Sequence, residues 1–437
     1  TLEKLLRKST NKMWKSLSFG FTAATIMQSS SLVSVITISF LSSGLIGLVE
    51  GMGIIFGANV GTTTGAWLIA GFGLKVKISA YAMPMLVFGV VLIFQKTKSL
   101  KGVGYILAGL GFLFLGIHYM KEGFETFQNQ INLTDYAMEG FTGILVFTLI
   151  GILATIIMQS SHATLVLVIT ALSVEQITYA NALALVIGAN VGTTITAIMG
   201  SITSNTNGKR LALADVLFKV AAGIVFIALM NPIMELVNTI AAYLGLAEDD
   251  FTLKLAVFHT IFNVSGVIIM VPMINQLIRL VSNLVPERKI RTTDPIYLNS
   301  SALELPDTAI EAVRKESIHL YDNAFAIIAH GLSLHRHDIL SDKDLESIII
   351  KNRQAIEIDI DEQYNSNIKH LYGEIIAYIS RAIMVMTSEQ NEELFVLRAA
   401  CRDIVEAIKD TKHLHKNMSQ YIASDNEYIR AEYNKIR

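Results

Sequence analysis

A seven-residue peptide, Gly-Ala-Asn-Val-Gly-Thr-Thr, occurs twice in this chain, at 57–63 and again at 188–194. A second peptide, Gln-Ser-Ser, also occurs twice, at 28–30 and 159–161, and both pairs are separated by the same shift of 131 residues. Two polar peptides in one register, each flanked by apolar runs, indicate a duplicated unit that has one polar centre in each half. Within a membrane, this pattern is typical of transporters whose site is built from interrupted helices.

The composition places the duplication in a membrane. Of the 437 residues, 52 % are hydrophobic and 16 % are charged, whereas soluble proteins carry about 25 % charged residues. The chain is mostly apolar at first, and its last part has a charge every few residues. We therefore predict a transmembrane domain at 1–285 with repeats at 1–120 and 121–282, a linker at 286–304 and a helical tail at 305–437.

Composition also excludes several classes of function. The net charge of −2 and the lack of a dense basic tract give no sign of a nucleic-acid partner. The single cysteine, Cys401, excludes an internal disulfide and a zinc site made of several cysteines.

The apolar segments predict an all-α membrane protein. They lie at 17–41, 48–73, 78–94, 102–120, 141–172, 180–203, 211–230 and 253–278. Four of them are plain candidate spans, and the four that contain a duplicated peptide are not, because exposed backbone is tolerated at membrane depth only where protein or a cavity receives it. We predict re-entrant helical hairpins at 17–41 and 141–172, and broken helices at 48–73 and 180–203.

The charges before each hairpin predict how the halves are oriented. Residues 1–15 contain five basic residues and one acidic residue, whereas residues 121–139 contain four acidic residues and one basic residue. Equivalent loops of opposite charge bias are expected on opposite faces of the membrane. The halves are thus predicted to form an inverted repeat with a cytoplasmic tail, and only Lys75 and Lys77 disagree.

The same register predicts a helix before residue 1. The span at 102–120 precedes the second hairpin, and its repeat mate would precede the chain. We expect that this leading helix has been lost or cleaved; a neighbouring subunit could fill its place, but truncation is the simpler account.

The hairpin tips carry the candidate substrate ligands. A helix that starts at a tip points its free N–H groups and the positive end of its dipole at the reversal, where an anion can bind. Serine hydroxyls add further donors. The candidates are Gln28, Ser29, Ser30, Ser31, Gln159, Ser160 and Ser161.

The broken helices carry the candidate sodium ligands. Hydroxyl, amide and unwound backbone oxygens are hard ligands, which suit sodium better than a soft transition metal. The candidates are Asn59, Thr62, Thr63, Asn190, Thr193 and Thr194. The alternative is that these side chains only bond across packed helices, but two copies of two peptides in one register favour a site.

Charge near the four peptides bears on coupling. We expect no Lys or Arg beside them, so a bound oxyanion would need sodium to offset its charge, as in a symporter.

Asp215 and Lys219 are one helical turn apart and are expected to pair, or to reach the cytoplasm. His259 and Asn263 share one helix face, with packing and a share in the cavity as equal alternatives, and His118 is expected at the membrane interface.

The paired peptides resemble the type II sodium/phosphate cotransporter family over roughly 17–278, and 256–263 resembles the last conserved span of that family. The resemblance implies sodium-driven transport of inorganic phosphate, with both ligands held between the repeats at the candidates named above. His162 departs from the family, which has a third serine there. An imidazole at this position could donate to phosphate or make its binding depend on pH.

The tail resembles a PhoU-like helical domain over about 305–425. Two carboxylate pairs with four-residue spacing match its metal motifs, and Arg402-Asp403 precedes the second pair as in that family. The pairs are Glu357 with Asp361 and Glu406 with Asp410. The resemblance implies a divalent or iron metal in the tail, whereas the residues alone favour a solvated surface, and His413 and His415 have no ordered spacing with the acids.

Together these observations predict a non-enzymatic protein of the bacterial inner membrane. It would carry phosphate with sodium by alternating access, in contact with lipid and without nucleic acid, and a homodimer is left open. The alternatives are a sodium-coupled carrier of another oxyanion or a dicarboxylate, and a phosphate sensor or scaffold that does not transport.

Overall fold

A computed structural model describes residues 6, 8–73, 79–128, 137–287, 294–342, 344–384 and 386–437. Predictions that involve Lys4, Arg7, Lys75, Lys77 and Asp135 lie outside the described residues, as does part of the predicted linker. The described residues form helices and connecting turns without a strand. The prediction of an all-α protein is confirmed.

Both predicted hairpins are present. Hairpin 1 consists of Met13–Met27 and Ser30–Ser42, and hairpin 2 consists of Gly140–Met158 and Ser161–Ser173. The first arm of each ends at a glutamine, Gln28 or Gln159, with left-handed φ angles of 50° and 53°. The chain therefore reverses at the duplicated glutamine in each half.

The predicted broken helices are interrupted, but only at one residue. Interrupted helix 1 consists of Leu48–Gly61 and Thr63–Leu68, and interrupted helix 2 of Tyr179–Gly192 and Thr194–Ser201. The threonine between the two parts keeps right-handed helical angles in both cases. The expectation of unwound backbone is therefore wrong: the helical path continues, and the polar side chains rather than the backbone oxygens offer ligands.

Six helices are long and apolar enough to cross a membrane, counting only the described residues. They are Leu48–Gly71, Lys98–Thr126, Gly140–Met158, Tyr179–Ser201, Thr206–Ala228 and Phe251–Met270. Their number and apolar character support a membrane protein.

Other predicted spans differ from the structure. The described helix within 78–94 is Ser79–Ile93, 15 residues long, or about 22 Å against a hydrocarbon core of about 30 Å. The predicted span at 253–278 ends at Met270, and a separate amphipathic helix, Ile274–Leu284, follows it. Met230–Tyr243 is a further helix, which the apolar segments did not predict.

Glycines bring each hairpin against the interrupted helix of its own half. A Cβ on Gly57 would come closer than 3.0 Å to the carbonyl of Leu17, and a Cβ on Gly188 would do the same to the carbonyl of Thr148. Real Cβ atoms essentially never approach so closely. The duplicated peptide thus has a packing role as well as a polar one, because its first glycine lets two helix backbones meet.

The two halves exchange the ends of their interrupted helices. Ala66 of interrupted helix 1, and Ile69 and Ala70 of the π-helix Ile69–Gly73 that directly follows it, belong to the hydrophobic core of the second half. Conversely, Ala197 of the second half belongs to the core of the first. This crosswise packing places the polar peptides of both halves at one interface.

The tail is a helical bundle, as predicted. Its α-helices are Pro306–Gly331, Arg336–Ile339, Leu345–Lys351, Ile360–Gln363, Lys369–Ile383, Ser388–Tyr421 and Glu427–Ile436, and a π-helical turn, Tyr364–Ile368, joins the fourth to the fifth. They enclose a core that includes Leu320, Ile375, Tyr378 and Cys401. Burial raises the pKa of the Cys401 thiol. The likeness to PhoU stays a prediction.

The described part of the predicted linker is folded. Three successive backbone N–H groups of the linker donate to the buried Glu316 carboxylate: Ile296 at 2.9 Å, Tyr297 at 2.7 Å and Leu298 at 3.3 Å. Ser301, in the short 3₁₀ helix Ser300–Glu304, accepts a bond through its carbonyl from Ser39 Oγ at 2.9 Å and donates its own Oγ to the carbonyl of Gly200 at 3.3 Å. This segment therefore contacts hairpin 1 and interrupted helix 2 at once.

Candidate functional site: the meeting point of two hairpin tips

The tips of both hairpins meet at Gly65. Gln28 Nε2, at tip 1, donates to the carbonyl of Thr25 at 2.6 Å and to Thr64 Oγ1 at 3.1 Å. A Cβ on Gly65 would collide with Gln28 Oε1 and also with Nε2 of His162, at tip 2. The structure therefore brings one side chain from each half to the same glycine.

The tip serines begin the second arm of each hairpin. Ser29 Oγ accepts a hydrogen bond from the backbone N–H of Leu32 at 3.1 Å, and Ser160 Oγ accepts one from Ala163 at 3.2 Å. Both serines are only half-buried, and each hydroxyl still has its proton to donate. At a helix N-terminus, such a hydroxyl can bind an anion.

The remaining tip residues differ in exposure. Ser30 is buried, Ser31, Ser161 and His162 are half-buried, and Gln159 is exposed. Nε2 of His162 is buried and has no hydrogen-bond partner among the described residues. An imidazole nitrogen without a partner can serve a ligand that enters the site.

The candidate sodium ligands are buried. Their exposed fractions are 2 % for Asn59, 4 % for Thr62, 5 % for Thr63, 7 % for Asn190, 4 % for Thr193 and 8 % for Thr194. The threonine hydroxyls donate to carbonyls of their own helix, for example Thr62 to Asn59 at 2.8 Å and Thr193 to Asn190 at 2.6 Å. A hydroxyl that donates its proton in this way keeps its lone pairs for a cation.

A buried ion pair connects the polar peptides of the two halves. Lys219 Nζ lies 2.8 Å from Asp215 Oδ2, with side-chain exposures of 4 % and 1 %. The same ammonium donates to Thr193 Oγ1 at 2.9 Å, and Asn59 Nδ2 donates to Asp215 Oδ1 at 3.4 Å. The predicted pairing is confirmed, and the alternative in which these side chains reach the cytoplasm is wrong.

The position of Lys219 contradicts an expectation from the sequence. We expected no Lys or Arg beside the four peptides, yet an ammonium contacts one of them, because the helix Thr206–Ala228 passes between the two halves. The four-residue spacing of Asp215 and Lys219 was visible in the sequence, but the sequence did not show which neighbouring helix the two side chains face.

His259 adds a second imidazole from the helix Phe251–Met270. It is 4 % exposed, and its Nδ1 has no partner in the part of the chain that the structure describes. The next residue, Thr260, accepts a hydrogen bond from Trp67 Nε1 at 3.0 Å, so this helix packs against the second part of interrupted helix 1. Asn263 Nδ2 donates to the carbonyl of His259 at 2.8 Å. For both residues the sequence left open whether they pack or help to line the cavity. The unpartnered nitrogen favours a place in the cavity for His259, and the hydrogen bond to the backbone favours packing for Asn263.

The predicted tail metal site is not assembled. No group of three or more His, Cys, Asp or Glu side chains among the described residues could hold a metal ion. Asp361 pairs with Lys412 at 2.7 Å, and Glu406 lies 3.8 Å from Arg402. The four acids Glu357, Asp361, Glu406 and Asp410 therefore fit the solvated surface that their residue types favoured.

The remaining histidines take no part in the site. His118 is exposed on the helix Lys98–Gln128. His415 Nδ1 bonds to the carbonyl of Gly331 at 2.8 Å. Burial and the neighbouring His335 lower the pKa of His330 in the tail.

Known proteins are similar to much of the chain. A protein described as a putative inorganic phosphate export protein, YjbB, is 27 % identical over 339 residues both in Salmonella typhimurium and in Escherichia coli K12. The match covers 77 % of this chain and 60 % of each relative, so the chain spans less than two thirds of their length. An uncharacterized protein of Bacillus subtilis, YqeW, is 27 % identical over 222 residues, which is 50 % of this chain and 70 % of that protein.

No solved structure matches the chain. The sequence profile of the Na+/Pi-cotransporter family matches residues 1–122 and 133–248. These ranges include both hairpins, both interrupted helices and the buried ion pair. The chain belongs to the Na+/Pi-cotransporter family.

Proposed function

We propose that this protein carries inorganic phosphate across the bacterial inner membrane together with sodium, by alternating access between two oppositely oriented repeats. The observation that carries the proposal is the convergence of Gln28 and His162, one from each hairpin tip, on Gly65. A ligand held there contacts both halves. A site at the interface of two repeats can open to either side when one repeat moves against the other.

The chemistry at the tips suits an oxyanion. Two helix N-termini and the hydroxyls of Ser29 and Ser160 supply hydrogen-bond donors, and the unpartnered nitrogens of His162 and His259 can donate when they carry a proton. The sequence contains no arginine between residues 8 and 209. Because guanidinium groups are the preferred bidentate partners of carboxylates, their absence from both hairpins favours phosphate over a dicarboxylate.

Sodium follows from the charge balance. The ion pair of Asp215 and Lys219 is neutral as a whole, so it does not offset the charge of a bound phosphate. A co-bound sodium ion would offset that charge, and the buried hydroxyl and amide oxygens of the interrupted helices are hard ligands that suit sodium. Each ligand then lowers the electrostatic cost of binding the other, and this mutual effect couples their transport.

The direction of net flux depends on the gradients. A symporter moves both ligands the same way, so the combined sodium and phosphate gradients decide between uptake and export. The YjbB relatives are described as export proteins.

We infer that the tail is cytoplasmic. Residues 1–15 are rich in basic residues, which favours the cytoplasmic side for them, and the predicted path of the chain returns the tail to that side.

The test is phosphate flux in proteoliposomes. Purified protein is reconstituted, and radiolabelled phosphate is followed with an inward sodium gradient or with choline in its place. We expect accumulation above equilibrium only with the sodium gradient, and efflux when the gradient is reversed. Phosphate flux that is the same with and without sodium would refute the symport, and a lack of flux would favour the sensor or scaffold. Competition by unlabelled sulfate or succinate would identify a carrier of another anion.

A small-to-large exchange tests the meeting point of the tips. Gly65→Ala should reduce sodium-driven phosphate uptake about tenfold, because the added methyl group displaces Gln28 and His162, with an overpacking cost of about 1–3 kcal/mol. Adding His162→Ser, which places the serine of the first repeat at this position, removes one of the two collisions and should recover part of the uptake. Initial uptake rates in proteoliposomes measure both effects.

The repeat mate of Gly65 provides the control. Thr196 occupies the equivalent position in the second half, and Thr196→Ala removes atoms rather than adding them. This variant should keep its uptake within a factor of about two. Equal impairment of Gly65→Ala and the double variant would show that His162 does not face Gly65 in the working protein.

A further inference from the structure

The ammonium of Lys219 occupies a position where a cation would bind. It is held by two oxygens, Thr193 Oγ1 at 2.9 Å and Asp215 Oδ2 at 2.8 Å. Both charged side chains are shielded from water, with exposures of 4 % and 1 %. Charges at such sites interact strongly because little solvent screens them.

The two halves differ at this point. Thr193 Oγ1 donates to the carbonyl of Asn190 at 2.6 Å and accepts from Lys219, so the ammonium uses a lone pair that sodium would need. Thr62, its repeat mate, also donates to a carbonyl of its own helix. No ammonium or guanidinium contacts Thr62 among the residues that the structure describes. The cation position is therefore filled by the protein in one half only.

The ion pair is not a product of the duplication. The repeat mates of Asp215 and Lys219 are Pro84 and Phe88, which carry no charge. An ion pair in a membrane interior is expensive, and apolar side chains of similar volume would often be at least as stable. Its position between Asn59 of one half and Thr193 of the other therefore indicates a role in binding rather than in stability alone.

We propose that Lys219 is a tethered cation that competes with sodium for Thr193 and Asp215. This inference rests on the proposed function, since sodium is the ion with which it competes. A sodium ion can enter the second half only when the flexible lysine stem withdraws the ammonium. The Asp215 carboxylate then becomes a sodium ligand, and the first half binds sodium without such competition.

Sodium-dependent thermal stability tests this inference. The full chain in detergent, without phosphate, is unfolded in sodium chloride or in choline chloride of equal ionic strength. In Lys219→Met, sodium should take the place of the ammonium beside Asp215. Its melting temperature should rise on changing choline for sodium by about 3 °C more than that of the wild type. Lys219→Gln, which keeps hydrogen-bond donors and loses the charge, should respond in the same direction.

The matched control removes the carboxylate as well. Asp215→Asn combined with Lys219→Met leaves no charge to attract sodium, so the enlarged response should disappear. A sodium response in both single variants that equals that of the wild type would overturn the inference, and so would an enlarged response that persists in the double variant. If Lys219→Met does not fold, the sodium response of Lys219→Gln decides whether the inference holds.

The wild-type flux assay separates this inference from the proposed function. Phosphate flux without sodium dependence would refute the symport, while an enlarged sodium response of the Lys219 variants would still identify a cation site at Thr193. Sodium-driven flux in the wild type, combined with unchanged responses in the variants, would leave the symport intact and refute the role of Lys219.

Discussion

Replacing both tip serines, Ser29→Ala with Ser160→Ala, is expected to weaken phosphate binding at least about 100-fold. Each hydroxyl would donate one hydrogen bond to a charged oxyanion, and such bonds contribute about 1.5–3 kcal/mol each. Isothermal titration of the purified protein with phosphate in sodium buffer measures the loss.

The same serines are helix N-caps, so stability has to be separated from binding. Each Oγ accepts a backbone N–H of its helix, and losing such a cap to alanine costs about 1 kcal/mol, whereas glycine costs only a few tenths. We therefore expect Ser29→Gly with Ser160→Gly to fold nearly as stably as the wild type and to bind phosphate as poorly as the alanine pair. Wild-type affinity in the glycine pair would remove both hydroxyls from the site.

Asp215→Asn alone is expected to destabilise the fold by about 3–5 kcal/mol. The substitution leaves the Lys219 ammonium buried without a counter-charge, a situation known to be strongly destabilising. Removing the ammonium in the same chain, with Lys219→Met, should restore most of the loss. Thermal unfolding in detergent, in choline buffer so that no sodium interferes, measures the three proteins.

An exposed pair of the same spacing is the control. Lys121 and Glu125 lie 3.8 Å apart and are 46 % and 55 % exposed. Glu125→Gln should change stability by no more than about 0.5 kcal/mol, because solvent screens the pair. If Asp215→Asn proved as mild as Glu125→Gln, the Asp215–Lys219 pair would not be buried in the folded protein.

The hairpins were the most predictable feature. Gln28 and Gln159 stand between apolar runs that are each long enough for a helical arm, and a serine that can cap a helix follows each. The reversal needs only these neighbouring residues, so it could be placed correctly without the structure. The membrane class and the family followed in the same way, because the apolar runs and the paired peptides are properties of short stretches.

The interrupted helices were predicted less well. Asparagine, glycine and threonine at mid-membrane predicted unwound backbone, whereas the hydroxyls of Thr62 and Thr193 bond to carbonyls one turn back and the helical path continues. Composition alone does not distinguish a threonine that ends a helix from one that bonds within it.

The sequence by itself therefore determined the duplication, the hairpin reversals, the helical tail and the residue types of the candidate site. Tertiary structure alone decided that Lys219 faces Thr193, that His162 faces Gly65 and that the halves exchange the ends of their interrupted helices. The physical reason is the range of the interactions. Helix periodicity and capping act within a few residues, whereas these contacts depend on how helices far apart in the chain pack and rotate against one another.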